Sequence, residues 1–450
     1  MNLHRMRQEL GTLDEPTRRA FALSLARKLL GVSILPTIGS LPAFAADPKP
    51  GTTKAGQGAL GIPVAGYDGS KAKHLIYLAM NGAMSQIDTF DPKPKSEHQG
   101  DTPVIATKIP GVSFGGSLPK LAAMADKLAV IRGMTTTTAD HGQAQYLIRT
   151  NYKPIATTRH PGMGPWLQRL AGPISQELPP SVVVGDGSSI GAGYLGAMYA
   201  PVPIGDPARG LQNTAFPKYL KPGQFENRIG LAVEFDREFR KKSKSSMLAD
   251  YDELYKSAMA LLRSKALASF DISKEKPETS EAYGKNPFGQ GVLLARRLVE
   301  GGVRFVEVNL GGWDMHNDIF QAMPVRGAIL DQAVAALLGD LETRGLLKNT
   351  LVVIGTEFGR KTPLSSNAGR DHHPAAFSCV MAGGGVKAGA VHGRTDEDAM
   401  TVEDDAVKVA DFNATIATAL GLPLDYEIHS PDGRPFTIAN KGKPVKAVLA

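Results

Sequence analysis

The sequence predicts an α/β fold: a doubly wound, mostly parallel sheet in an α/β/α sandwich, with a helical excursion. Three observations predict it. Short continuous apolar runs recur along the chain and stop at Gly, Asn or a polar cluster, as buried parallel strands do. Segments of helical spacing separate them, and that alternation implies a sheet covered on both faces. The 450 residues are 42% hydrophobic and 21% charged, average globular usage that argues against disorder and coiled coil.

The chain opens on a segment that reads as an address. Thr17-Arg18-Arg19-Ala20-Phe21 is a twin-arginine element, an apolar stretch runs from Leu29 to Leu41, and Ala43-Phe44-Ala45 is a small-x-small site. That order predicts a twin-arginine export signal over residues 1–45 and a periplasmic or secreted protein. The alternative is an amphipathic N-terminal helix of the fold. The segment holds six Arg and Lys against three Asp and Glu, so +3 of the formal net charge of +7 belongs to it. The remaining +4 includes no basic cluster with interleaved aromatics, so nucleic acid is not an expected partner. No later segment is long and apolar enough to span a bilayer. The single cysteine, Cys379, forbids an internal disulfide and reads as core within a strand.

Residues 46–70, rich in Gly, Pro, Ala and Lys, read as a linker or arm, and 71–450 as one domain. His74–Met80 is the first strand, halted by Asn81-Gly82. Leu118–Lys127 has helical spacing and Leu128–Ile131 is a strand. Gln143–Arg149 and Gly164–Leu170 read as helices, and Ser181–Val184 as a strand. Residues 225–285 are charged, periodic and poor in glycine at their start, so they read as a helical insertion outside the core. Val292–Glu300 is a helix, Val303–Val308 a strand, Ile329–Leu341 a helix, Leu351–Ile354 and Phe377–Met381 strands, and Ala406–Leu420 a closing helix.

In an open α/β sheet the site lies beyond the carboxyl ends of the strands. Three such ends carry unusual polar chemistry: Gly311-Gly312-Trp313-Asp314-Met315-His316-Asn317-Asp318, then Thr356-Glu357-Phe358-Gly359-Arg360, then Gly369-Arg370-Asp371-His372-His373-Pro374. Converging carboxylates and imidazoles are what a divalent metal needs, and this mixture suits Zn or Mn better than Ca or Mg. Arg360 and Arg370 offer planar donors to an oxyanion. The plain structural roles are an N-cap for Asp318 and an ion pair of Glu357 with Arg360 or Arg370. The first strand end aims Asn81 at the same crevice, with Ser85, Asp88 and Asp91 following it. His141 precedes a helix, where oxyanions bind.

The run Asn81-Gly82-x-x-Ser85-Gln86-x-Asp88-Thr89-Phe90-Asp91-Pro92-Lys93, with the three motifs above, resembles a widespread bacterial family of exported, uncharacterised sulfatase-like proteins. That family is similar to the alkaline phosphatase superfamily, which includes sulfatases and phosphomutases. The resemblance implies the sandwich fold and hydrolysis or transfer of sulfate or phosphate esters at a divalent metal. It also implies departures: Asn81 stands where an Asp is usual, and Phe358 where a His is. Leu147 to Tyr152 resembles the turn that follows a sulfatase nucleophile, which places His141 near the nucleophile position.

The resulting expectation is one metal held by Asp314, His316, Glu357 and His372. His141 is the expected nucleophile or acid–base, Arg360 and Arg370 hold the ester oxygens, and Asn81, Ser85 and His373 contact substrate. The leading function is an exported ester hydrolase, on sulfate or phosphate esters of a polysaccharide. The alternatives are a non-catalytic binder of an anionic glycan or envelope partner, and a phosphomutase-like transferase.

Overall fold

The computed structural model describes residues 62–185, 190–212 and 256–450, together with 214, 224, 227–228 and 230–231. The segment expected as an export signal, most of the expected arm and the first half of the expected helical insertion lie outside the described residues. The chain divides into two compact units. The larger comprises Pro50–Gly210 and Glu253–Ala450, and the smaller Met1–Lys49 with Leu211–Asp252.

Among the described residues one nine-stranded sheet forms the centre. Its strands are β1 (His74–Met80), β2 (Leu128–Thr135), β3 (Ser181–Val184), β4 (Val202–Ile204), β5 (Phe305–Leu310), β6 (Thr350–Gly355), β9 (Phe377–Gly383), β10 (Val391–His392) and β11 (Val407–Lys408). A two-residue hairpin, β7 (Gly359–Arg360) and β8 (His372–His373), stands apart from it. The order across the sheet is β10-β2-β9-β6-β1-β5-β3-β4, with β11 also against β2. β1 lies between β5 and β6, parallel to both. β9 alone runs against its neighbours, antiparallel to β6 and β2.

The central strand is buried along its whole length, with Leu75, Ile76, Leu78 and Met80 fully enclosed. Such a run with no polar alternation folds only with helices over both faces. Those helices include α1 (His141–Thr150), α2 (Met163–Ala171), α3 (Pro287–Glu300), α4 (Ile319–Thr343) and α5 (Val409–Ala419). The doubly wound, mostly parallel α/β/α plan is the fold of this protein.

Among the described residues the expected elements are present, except that Val407–Lys408, expected in the closing helix, is a strand; two further differences bear on the site. α4 begins ten residues earlier than its apolar spacing suggests and runs through Pro324. Proline removes one helix bond, that to Phe320, and Pro324 itself is exposed, so its ring does not disturb the core. Asp318 does sit at the N-cap of α4, but with φ 45° its side chain makes no capping bond. The backbone carbonyls of Asn367 and Ala368 take the amides of Asp318 and Ile319 instead, at 3.0 and 2.9 Å. A neighbouring loop, rather than a side chain, fixes the start of α4.

The parallel strands β1, β2, β5 and β6 end at one edge of the sheet, which gathers the segments after Met80, Thr135, Leu310 and Gly355. β9 runs the opposite way, so the residues before its start reach that same edge. That is how His372, which precedes a strand, meets residues that follow strands.

Candidate metal centre

Four segments build the cluster. Asp140 caps α1 by accepting from the amide of Gln143 at 2.8 Å, which sets His141 as the first residue of the helix. The loop after β5 brings Asp314 and His316. It is held against the first strand end by Gly82, whose φ is +111° and whose missing Cβ would lie 2.6 Å from the Asp314 amide. Gly369 packs as closely: a Cβ there would lie 1.9 Å from the His316 carbonyl carbon. The amide of Arg370 then donates to the Met315 carbonyl at 3.0 Å. Those two close approaches put His316 beside Asp371 and His372.

The chemistry converges on Asp314 Oδ1. His316 Nε2 lies 2.9 Å from it, His372 Nε2 3.2 Å and His141 Nε2 3.4 Å. His372 Nε2 is also 3.0 Å from His316 Nε2 and 3.1 Å from His141 Nε2. Each imidazole is anchored through its other nitrogen. His141 Nδ1 donates to Glu357 Oε1 at 2.9 Å, and His372 Nδ1 to the Ala139 carbonyl at 2.8 Å. His316 Nδ1 faces Asp371 Oδ1 at 3.4 Å. Bonds of that kind fix the tautomer and turn the Nε2 lone pairs inward. Two lone pairs about 3 Å apart repel unless a proton or a cation lies between them.

The donor set fits a metal. A tetrahedral zinc with bonds of about 2.0–2.1 Å sets its ligand atoms about 3.3 Å apart. The five nitrogen and oxygen separations above run from 2.9 to 3.4 Å. His141, Asp314 and His372 each place one ligand atom within 4.8 Å of the others; His316 Nε2 stands outside that group of three, beside Asp314 and His372 and on the far side from His141. Three imidazoles and one carboxylate suit Zn, Mn or Fe.

Electrostatics keep the two carboxylates ionised, as a metal requires, and favour the proton on His141, which a metal must displace. Burial pushes the Asp314 carboxyl up, but the Arg360 guanidinium bonded to it and the nearby imidazoles win and bring it down to about 2. Burial also works against ionised Glu357, yet the bonds from His141, the Gly82 amide at 2.8 Å and Gln145 at 3.1 Å keep its pKa below the usual value. The Glu357 carboxylate raises His141 above the ordinary imidazole value.

The structure brings together Asp314, His316, His372 and His141. It sets Glu357 behind His141 rather than in the ring of ligand atoms. Arg360 borders the cluster, fully buried: Nη2 donates to Asp314 Oδ1 and the Gly82 carbonyl, Nε to Ala83 at 3.0 Å, and Nη1 to Arg370 at 3.0 Å. Arg370 faces away, its Nε donating to Asp88 Oδ2 at 2.7 Å and its Nη1 to the Thr362 carbonyl. Ser85 donates to the same Asp88 carboxylate, and His373 Nε2 meets the Met400 carbonyl at 2.6 Å. Asp91 is engaged by Thr395 and Lys93. Asn81 turns below the cluster: its oxygen accepts from Arg149 at 2.9 Å and its amide donates to Asn309 at 2.8 Å. Arg149 is itself paired with buried Glu307 at 3.1 Å. Phe358 is a wedge, its ring centroid 4.8 Å from that of His141 and 5.0 Å from that of His372.

Sequence reasoning missed Gln145, the Ala139 carbonyl, Asp371 and the Arg149–Glu307 pair. Gln145 was findable, since it lies one turn after His141 on the same face. A backbone carbonyl carries no side-chain signal.

A family model described as "Protein of unknown function (DUF1501)" matches residues 72–449. No curated protein sequence matches the chain. Among solved structures it is similar to the lipoteichoic acid synthase LtaP from Listeria monocytogenes, at 9% identity and a TM-score of 0.38, covering 86% of this chain and 78% of that one. It is similar to an alkaline phosphatase superfamily protein from Vibrio parahaemolyticus, at 11% identity and a TM-score of 0.38, covering 98% and 80%. It is also similar to the PsFucS1 sulfatase from Pseudoalteromonas sp., at 12% identity and a TM-score of 0.35, covering 83% and 74%.

Proposed function

The chain belongs to the DUF1501 family, and on that premise we propose that it is a single-metal hydrolase of anionic esters, sulfate or phosphate, exported by the signal in residues 1–45. The observation that carries the reading is the convergence of three imidazole Nε2 atoms and one carboxylate oxygen at the carboxyl edge of the sheet. His141, Asp314, His316 and His372 would hold the ion, Zn or Mn. A divalent cation there supplies Lewis acidity toward an ester oxygen.

The chain's own residues supply the rest. Glu357 keeps a proton on His141 Nδ1 and leaves Nε2 bare. That supports His141 as a ligand rather than a nucleophile. Arg360 keeps Asp314 ionised and is itself a fixed positive charge against the cluster, 3.4 Å from His316 Nε2. A permanent cation at that distance disfavours a second metal, which supports one ion per chain. Asp314 and His316 stay about two-fifths exposed, so solvent and substrate have access.

One set of observations favours a second reading, a metal-dependent binder of an anionic glycan that does no chemistry. Arg360 and Arg370 are wholly buried, and the Ser85 hydroxyl is committed to Asp88. Among the described residues no serine or threonine hydroxyl is bonded to Asp314 Oδ1 or to the Nε2 atoms of the three histidines; Ser365 meets the His316 carbonyl and Thr356 the Glu357 carboxylate. A panel of aryl sulfate and aryl phosphate esters, given to the metal-reconstituted chain, separates the two. Turnover lost in His372→Ala supports the hydrolase. Metal binding without turnover on any ester supports the binder.

A further inference from the structure

The three arginines bordering the site are spent. Arg360 is bonded to Asp314 and three carbonyls, Arg370 to Asp88, and Arg149 to Glu307. An anionic substrate therefore needs another donor. Arg326 is the eighth residue of α4, and its reach is set by helix geometry: helical side chains lean toward the N-terminus. Here that direction leads back to the loop that supplies Asp314 and His316.

The guanidinium lies on that loop at Gly312. A Cβ on Gly312, whose φ is +86°, would meet Nη2 at 2.6 Å, Nε at 2.7 Å and Cζ at 2.8 Å. The bare backbone of Gly312 thus seats the flat face of the arginine, which leaves the N–H edges pointing outward from the stack. Among the described residues Arg326 has no hydrogen bond and no ion pair, although it is half-buried. Partial burial of an unpaired charge is unfavourable, and an anion would relieve it. Next to it, a Cβ on Gly311 would find nothing within 4 Å, so the loop is open on that side.

We propose that Arg326 is the oxyanion anchor of this site, binding two oxygens of a sulfate or phosphate group through the free edge of its guanidinium. The planar fork matches such a group in two places at once, which a lysine does not. The inference rests on the reading that the substrate carries that group. The metal is held by other residues, so the two claims fail separately.

The test is calorimetric titration of the metal-reconstituted full chain with inorganic phosphate and with inorganic sulfate. Metal content and melting temperature are measured alongside. Arg326→Ala is expected to keep its metal and its melting temperature while losing about ten-fold or more in affinity for whichever anion binds. Arg326→Lys should fall between the two. If the alanine variant folds poorly, Arg326→Gln keeps the stem and removes the charge. Affinity within two-fold of wild type in a folded, neutral variant overturns the proposal, and so does a wild type that binds neither anion. Anion binding through Arg326 in a chain that takes up no metal overturns the metal reading alone.

Discussion

Glu357 accepts the Nδ1 proton of His141 at 2.9 Å, and that bond decides which nitrogen of His141 faces Asp314 and His372. The carboxylate is buried, and its other donors are a backbone amide and a glutamine. It is a supporting group whose charge acts through a ring.

Glu357→Gln keeps the volume and removes the charge. It should lower metal affinity by about 10–100-fold, the usual cost of losing a partner behind a ligating histidine. Competition against a chromophoric chelator measures this. Affinity unchanged in the folded variant would detach Glu357 from the site.

The pH dependence follows from the same pair. His141 has a raised folded-state pKa, caused first by its bond to Glu357. In the metal-free protein the stabilisation from protonated His141 is fully present below the unfolded value of about 6.5, and it is lost as pH rises through the higher folded value. Metal binding needs that proton gone. The rise in melting temperature on adding Zn should therefore grow from about pH 6 to about pH 8, as the proton stops competing. Asp314, held at about 2, remains ionised throughout. Its own stabilisation is present above its unfolded value of 3.8 and is lost only as pH falls toward 2. A metal-induced shift that is flat across neutral pH would contradict the coupling of His141 to the ion.

Arg370 and Asp88 are both wholly enclosed. Removing one partner leaves the other buried and uncompensated, so Arg370→Met should destabilise the fold by about 3–5 kcal/mol. Chemical denaturation measures it. Metal content should stay at the wild-type level, because Arg370 touches none of the four converging groups. Loss of metal from a folded Arg370→Met protein would place it in the site after all.

Gly82→Ala introduces a Cβ that would sit 2.6 Å from the Asp314 amide, at a φ of +111° that alanine avoids. The loop carrying Asp314 must move, so metal affinity should fall by about ten-fold or more while the sheet persists. Circular dichroism and chelator competition read the two effects separately. Wild-type affinity would mean the approach of the two loops does not set the site.

Much of the fold was legible because its signals are local. β1 and β6 are continuous apolar runs, and their burial on both faces needs no distant information. The start of α4 at Ile319 was legible from Asp318 at its N-cap position, but the restraint was not, because it comes from the carbonyls of Asn367 and Ala368, some fifty residues away. The site divides in the same way. Asp314, His316 and His372 follow from being polar at strand ends. Arg360 and Arg370 share the residue type suited to binding an oxyanion, but only the packed structure shows that one clamps Asp314 and the other Asp88. Arg326 carries no motif, and its closeness to Gly312 arises from the pitch of a helix.

The central claim is that this chain holds one transition metal at His141, Asp314, His316 and His372. Metal analysis of the full chain, purified without added metal and then titrated with Zn or Mn, tests it most directly. The account predicts one ion per chain, lost in His372→Ala and in His141→Ala and kept in Arg370→Met. A wild-type protein that contains no metal, takes up neither ion and gains no thermal stability from either would contradict it.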